Sequence, residues 1–199
     1  MLRRNRPPRR GLARPYLRAA RAALRLERDM RPSLYQAHQW MTSGEYLAAA
    51  DQFERLAAHA MARGMVERAP FLYLQASRAR LHCGQPQASL ALLRQGLGLL
   101  AELQRWAAVQ RHGQRMAWEY EQLGHAAQAA EVRKWLAEAA PAMMPGAPAG
   151  QNAAPEMPHA QLPAKCPYCG GNVLPDEVSW VDAASAECVY CGSILRATE

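Results

Sequence analysis

GEYLAAADQFERL, residues 44–56, is the stretch from which the fold can be read. A glycine opens it, and the small residue Ala49 follows five positions later. Glycine tolerates the positive φ of a tight turn, and a small side chain at that offset lets two helices approach closely. The arrangement returns at an interval of forty residues, because Gly44, Gly84 and Gly124 are evenly spaced. The segments after the latter two read GQPQASLALLRQGLGLL and GHAAQAAEVRKWLAEAA, with Ala88 or Ser89 and then Ala129 near the small position. Self-similarity at such a period is the mark of stacked helical units, none of which can bury its apolar side alone.

A further helix precedes each glycine. Leu34, Ala37, Trp40 and Met41 fall at helical spacing within Ser33–Ser43, as do Leu72, Ala76, Ala79 and Cys83 within roughly 66–83, and Trp106, Val109, Met116, Tyr120 and Leu123 within roughly 106–123. Arg63–Val66 and Leu103–Trp106 mark equivalent breaks between hairpins, so residues 32–140 read as about three helical hairpins. Gly44, Glu45 and Tyr46, followed by Ala49, Phe53 and Leu56, resemble the second helix of the tetratricopeptide repeat (TPR) family. The tyrosine is missing from the next two hairpins, and the period of forty exceeds that family's thirty-four, which implies longer helices. The resemblance implies an α-solenoid fragment that binds a peptide or protein on its concave face; a helical bundle that spaces or dimerises the chain is the plainer alternative. Trp40, Trp106, Trp118 and Trp135 are expected to fill the core, and His38, His59, His82, His112 and His125 show no metal-ligand or triad spacing.

The net charge of +7 is concentrated at one end. Residues 1–31 hold eleven Arg against Glu27 and Asp29, a surplus of +9, while 32–140 carry +2 and 141–199 carry −4. Arg14, Arg18, Arg21, Arg25 and Arg28 fall on one helical stripe, with Tyr16, Ala19, Ala23, Leu26 and Met30 opposite, and Pro32 is expected to end this basic amphipathic helix. Such an arm suits nucleic-acid phosphates, an anionic membrane surface, an acidic protein face, or simple packing on the first hairpin. No apolar run is long enough to cross a bilayer. Residues 141–164 hold six prolines and almost no charge, and read as a flexible linker whose reach is about 25–30 Å. It is not expected to fix the orientation of the C-terminal segment.

That segment contains CPYCGG at 166–171 and CVYCGS at 188–193. Cys166, Cys169, Cys188 and Cys191 form two C-x2-C pairs at the separation typical of one tetrahedral metal site. Thirty-five residues are too few to build a sufficient core without such a staple. Asn172–Leu174, Val178–Asp182 and Ile194–Arg196 read as strands. The segment 165–199 resembles a zinc ribbon, which implies one structural Zn2+ held by four sulfurs with no position left for water or substrate. The knuckles also resemble those of rubredoxin, which would imply iron; the short gap between them and the absence of that family's aromatic core favour zinc. Lys165 and Arg196 stand against five acids, and zinc with four thiolates adds a formal −2, so this module repels phosphate. Tyr168, Trp180 and Tyr190 are its candidate protein contacts.

Together these features lead us to expect a mostly α chain that is a non-enzymatic protein–protein interaction adaptor in the reducing cytoplasm, built from a basic arm (1–31), TPR-like hairpins (32–140), a linker (141–164) and a zinc ribbon (165–199). The alternative is a nucleic-acid-associated or regulatory factor acting through the arginine arm.

Overall fold

A computed structural model of the chain describes residues 29–139, 160–176 and 178–197. Among the described residues, six helices pack on one another: α1 (29–43), α2 (Tyr46–Ala62), α3 (Ala69–His82), α4 (Pro86–Glu102), α5 (Trp106–Gln122) and α6 (Ala126–Ala139). The arginines at 14, 18, 21, 25 and 28, and linker residues 140–159, lie outside the described residues. Residues 29–32, expected to close the arm's helix at Pro32, instead belong to α1, whose Met30 is buried beside Leu34 and Ala37.

The forty-residue repeat resolves into a twenty-residue beat. A residue of positive φ stands at Gly44, Gly64, Gly84, Gln104 and Gly124. After each, the next backbone N–H donates to the carbonyl five residues back: Glu45 to Trp40, Met65 to Ala60, Gln85 to Arg80, Arg105 to Leu100 and His125 to Tyr120, all at 2.8–2.9 Å. This closing bond satisfies carbonyls that a helix end leaves open, and it reverses the chain in a fixed geometry each time. Gln104 is the exception in composition, since a side chain at φ 58° is strained. Its amide oxygen accepts from the Trp106 indole at 3.1 Å.

Two apolar clusters result. One gathers Phe71, Leu74, Leu93, Leu97, Val109, Tyr120 and Leu136 from α3 to α6. A buried polar chain pins three of these helices: Ser77 donates to the Ser89 carbonyl at 2.8 Å, and the Ser89 hydroxyl lies 2.6 Å from the Tyr120 hydroxyl. The other gathers Leu34, Ala37, Phe53, Leu56 and Leu72 from α1 to α3, and it also contains the four cysteines, Val173, Ala186 and Leu195. Trp40, Trp106 and Trp135 pack against these clusters as expected, but Trp118 is 58% exposed.

The C-terminal module is a three-stranded antiparallel sheet, β1 (Ser179–Asp182), β2 (Ser185–Glu187) and β3 (Ile194–Arg196), in sequential order. The hairpin is therefore 179–187, and Asn172–Leu174, read as a strand, lies outside the sheet. Asn172 makes only a single bridge to Lys165, whereas the Asp182 carboxylate accepts from the Ala184 N–H at 2.8 Å and the Ser185 hydroxyl at 2.6 Å, building the turn. Residues 160–164, assigned to the linker, join the module through Leu162, which is buried, and the Ala160 N–H, which donates to Ala183.

The module is not placed independently of the helices. It sits against the first helix of each hairpin. Gly170 abuts Tyr35 of α1, Gly192 abuts Phe71 of α3, Arg68 donates to Ser193 at 3.2 Å, and Arg105 beside α5 pairs with Glu187. Contact between buried surfaces thus sets the module's position, and the sequence reading does not anticipate these contacts.

Two comparisons test these constraints by denaturant unfolding. Gln104→Gly should raise stability by about 0.5–1 kcal/mol by relieving the left-handed side chain. Alanine at Gly84, where nothing lies within 4 Å of the added carbon, should cost about 1 kcal/mol; at Gly192, where that carbon meets the Phe71 ring at 2.4 Å, the cost should be clearly larger. Equal costs at the two glycines would mean that the module does not press on Phe71.

Candidate metal centre

The two knuckles are built alike. In each, the glycine after the second cysteine donates back to the first cysteine's carbonyl, Gly170 to Cys166 at 2.8 Å and Gly192 to Cys188 at 2.9 Å. The first cysteine's N–H then donates forward, Cys166 to Gly171 at 2.8 Å and Cys188 to Ser193 at 2.9 Å. This double closure requires the left-handed φ of 78° at Gly170 and 68° at Gly192. It turns both sulfurs of each pair to the same side.

All four sulfurs lie within 4.8 Å of one another, and every cysteine is buried. Across the knuckles, Cys166 and Cys191 are 3.7 Å apart and Cys169 and Cys188 are 3.9 Å apart. These separations far exceed a disulfide bond, and the cysteines are free. A tetrahedral ion with metal–thiolate bonds of about 2.3 Å needs sulfur–sulfur edges of about 3.8 Å. The donor set therefore fits a metal ion that four protein ligands saturate. The protonation chemistry agrees: hydrogen bonds from the other three pull the Cys166 thiol strongly down, and contacts within the same cluster push Cys169 and Cys188 up. So many thiols this close cannot all ionise without a cation among them.

The other residues singled out in the sequence scatter. Tyr168 is exposed at the first knuckle. Tyr190 is half-buried and meets His38 of α1 edge-on at 5.1 Å. Trp180 is half-buried against the first cluster, its indole donating to the Pro175 carbonyl at 3.2 Å. Two of the three aromatic candidates are thus engaged within the chain. The contacts that seat the module come from residues carrying no motif: Tyr35, Arg68, Phe71 and Arg105, the last lying 5.1 Å over the Phe71 ring. Acidity at Glu187 was the one sequence signal for them, and it is answered by arginines of the hairpins.

Behind the second knuckle, His112 of α5 is buried and stands edge-on to Phe71 at 5.7 Å. Burial, reinforced by Arg111, Arg115 and Arg105, pulls its pKa from 6.5 to about 3. His38 is likewise pulled to about 4 by burial. Neighbouring Glu119 receives Arg78 at 3.0 Å and Arg115 at 3.2 Å, with His82 at 3.7 Å. Burial alone would raise the Glu119 carboxyl, but bonds from His82, Arg78 and Arg115 outweigh it and hold the group below its ordinary range.

No protein-family model, curated protein or solved structure matches the chain.

Two outcomes are expected. A strong chelator should remove one metal ion per chain and make the four buried thiols reactive, with loss of the Tyr190 and Gly192 contacts in NMR spectra; thiols already reactive before chelation would contradict the site. For acid, His112 binds its proton mainly in the unfolded chain between pH 6.5 and about 3, so its stabilising share is complete above pH 6.5 and falls with pH. His112→Leu should therefore flatten the stability profile between pH 6 and 4 by up to about 1.4 kcal/mol per pH unit. An unchanged slope would show that His112 is already protonated in the fold.

Proposed function

We propose that the chain is a non-enzymatic protein-interaction adaptor: a TPR-like array of three hairpins stapled to a zinc ribbon that carries one structural Zn2+. The observation that supports this reading best is the burial of all four sulfurs at tetrahedral spacing inside a cluster shared with the helices. Four protein ligands leave the ion no open position, so its work is to hold shape. The free thiols suit a reducing, cytoplasmic setting.

Because the ribbon occupies the side of the array lined by α1, α3 and α5, a partner meets the ribbon and the hairpins as one composite surface. Zinc-loaded wild type and the variant Cys166→Ser/Cys169→Ser should therefore capture different partners in affinity purification. Identical partner sets would sink the composite reading. Elemental analysis of the purified protein should show zinc; a red, iron-containing sample would point to electron transfer instead.

The +9 surplus of residues 1–31 supports a second reading, a nucleic-acid-associated factor. Nucleic-acid affinity with a steep salt dependence, lost on deleting residues 1–28, would establish it over the first.

A further inference from the structure

Where the first knuckle meets α1 and α3, the two units leave a cavity of about 500 Å3 between them. Its size falls in the range of small-ligand sites. We infer that this cavity binds a small organic anion, one bearing a carboxylate or phosphate on a compact apolar body, and that the bound anion bridges ribbon and hairpins. The inference goes beyond the adaptor reading and stands or falls without it.

The walls supply both halves of such a ligand's recognition. Tyr35, Tyr46 and Tyr190 provide aromatic faces, with Met41 among them. Tyr35 and Tyr190 are themselves fixed by the knuckle, since a carbon added at Gly170 would come within 2.2 Å of the first ring and one at Gly171 within 2.6 Å of the second. Tyr46 stacks on His82 at 5.0 Å. Among the described residues no carboxylate lines the cavity, whereas Lys165 and Arg78 do. Lys165 is exposed, its ammonium 5.9 Å over the Tyr35 ring, and it forms no ion pair among the described residues. Arg78 already meets Glu119, but that single carboxylate also receives Arg115, so the local balance stays positive. Glu45 also binds a lining residue, accepting from the Ser43 hydroxyl, but does not itself line the cavity.

A second observation points to a ligand. His38 lines the cavity at 9% exposure, and its Nε2 has no hydrogen-bond partner among the described residues. Gln75, 6% exposed, lines the same wall. Buried polar atoms are normally paired, so the unpartnered His38 nitrogen in the wall of a cationic cavity suits a bound molecule that completes it.

The test uses the full, metal-loaded chain with benzoate and phenyl phosphate as probes, benzyl alcohol as the neutral control, and amide NMR shifts of Gly170, Gly171 and Asn172 as the readout. At least one anion should produce saturable shifts with a dissociation constant on the order of 1 mM or tighter, and the two anions tell carboxylate from phosphate preference. Lys165→Met should weaken that binding about tenfold, while Arg94→Met on the far helix α4 leaves it unchanged. Tyr46→Leu, remote from the cysteines, should also weaken it and serves if the lysine variant loses metal. Absence of saturation with both anions, equal binding of benzyl alcohol, or indifference to both Lys165→Met and Tyr46→Leu would overturn the inference.

Discussion

Four sulfur atoms crowded into one buried site are intolerable as thiolates unless a cation sits among them, and this electrostatic demand organises the C-terminal module. The sheet alone is too small to hold a shape: its three strands have three or four residues each, and its inner face contributes Ala186 and Leu195 to the core. With the sulfurs drawn together, both knuckles become rigid corners. Their glycines then present bare backbone to Tyr35 and Phe71, contacts that no side chain at those positions would permit. The geometry of the cysteine cluster is in this way converted into docking.

Docking also settles where the charges go. Within the acidic module, Glu187 meets Arg105, with Arg111 close enough to feel its charge. These arginines lie at the start and on the face of α5, partly desolvated by the module itself. An ion pair held there is stronger than one at a fully exposed site, because water screens it less.

The hairpins were legible because their signals are local. A glycine that must take positive φ, an apolar stripe and a small residue at the crossing all act within a few turns of chain, and Gly44, Gly84 and Gly124 announce them openly. Gln104 hid the same turn because glutamine lacks the signature, although the break around it was visible from its place in the repeat. The cysteine cluster was legible for a similar reason: ligand spacing is written in the knuckles. The β2 strand was not, since Ser185–Glu187 has no alternation to distinguish it, and its turn depends on one aspartate side chain. Least visible was the docked position, which arises from surfaces such as Phe71 and Gly192, far apart in the chain and matched only in three dimensions.

The twenty-residue beat of the turns would allow hairpins to be added or lost in whole units without disturbing their neighbours, as in other stacked arrays. The docked module removes that freedom. Its contacts reach Tyr35 on α1, Phe71 on α3 and Arg105 at the head of α5, so it spans three successive first helices at once. A hairpin inserted between them would move one anchor beyond its reach. The small sheet with its cysteine cluster therefore acts as a gauge of the spacing between α1, α3 and α5, and it fixes the number of helices that can stand between its anchors.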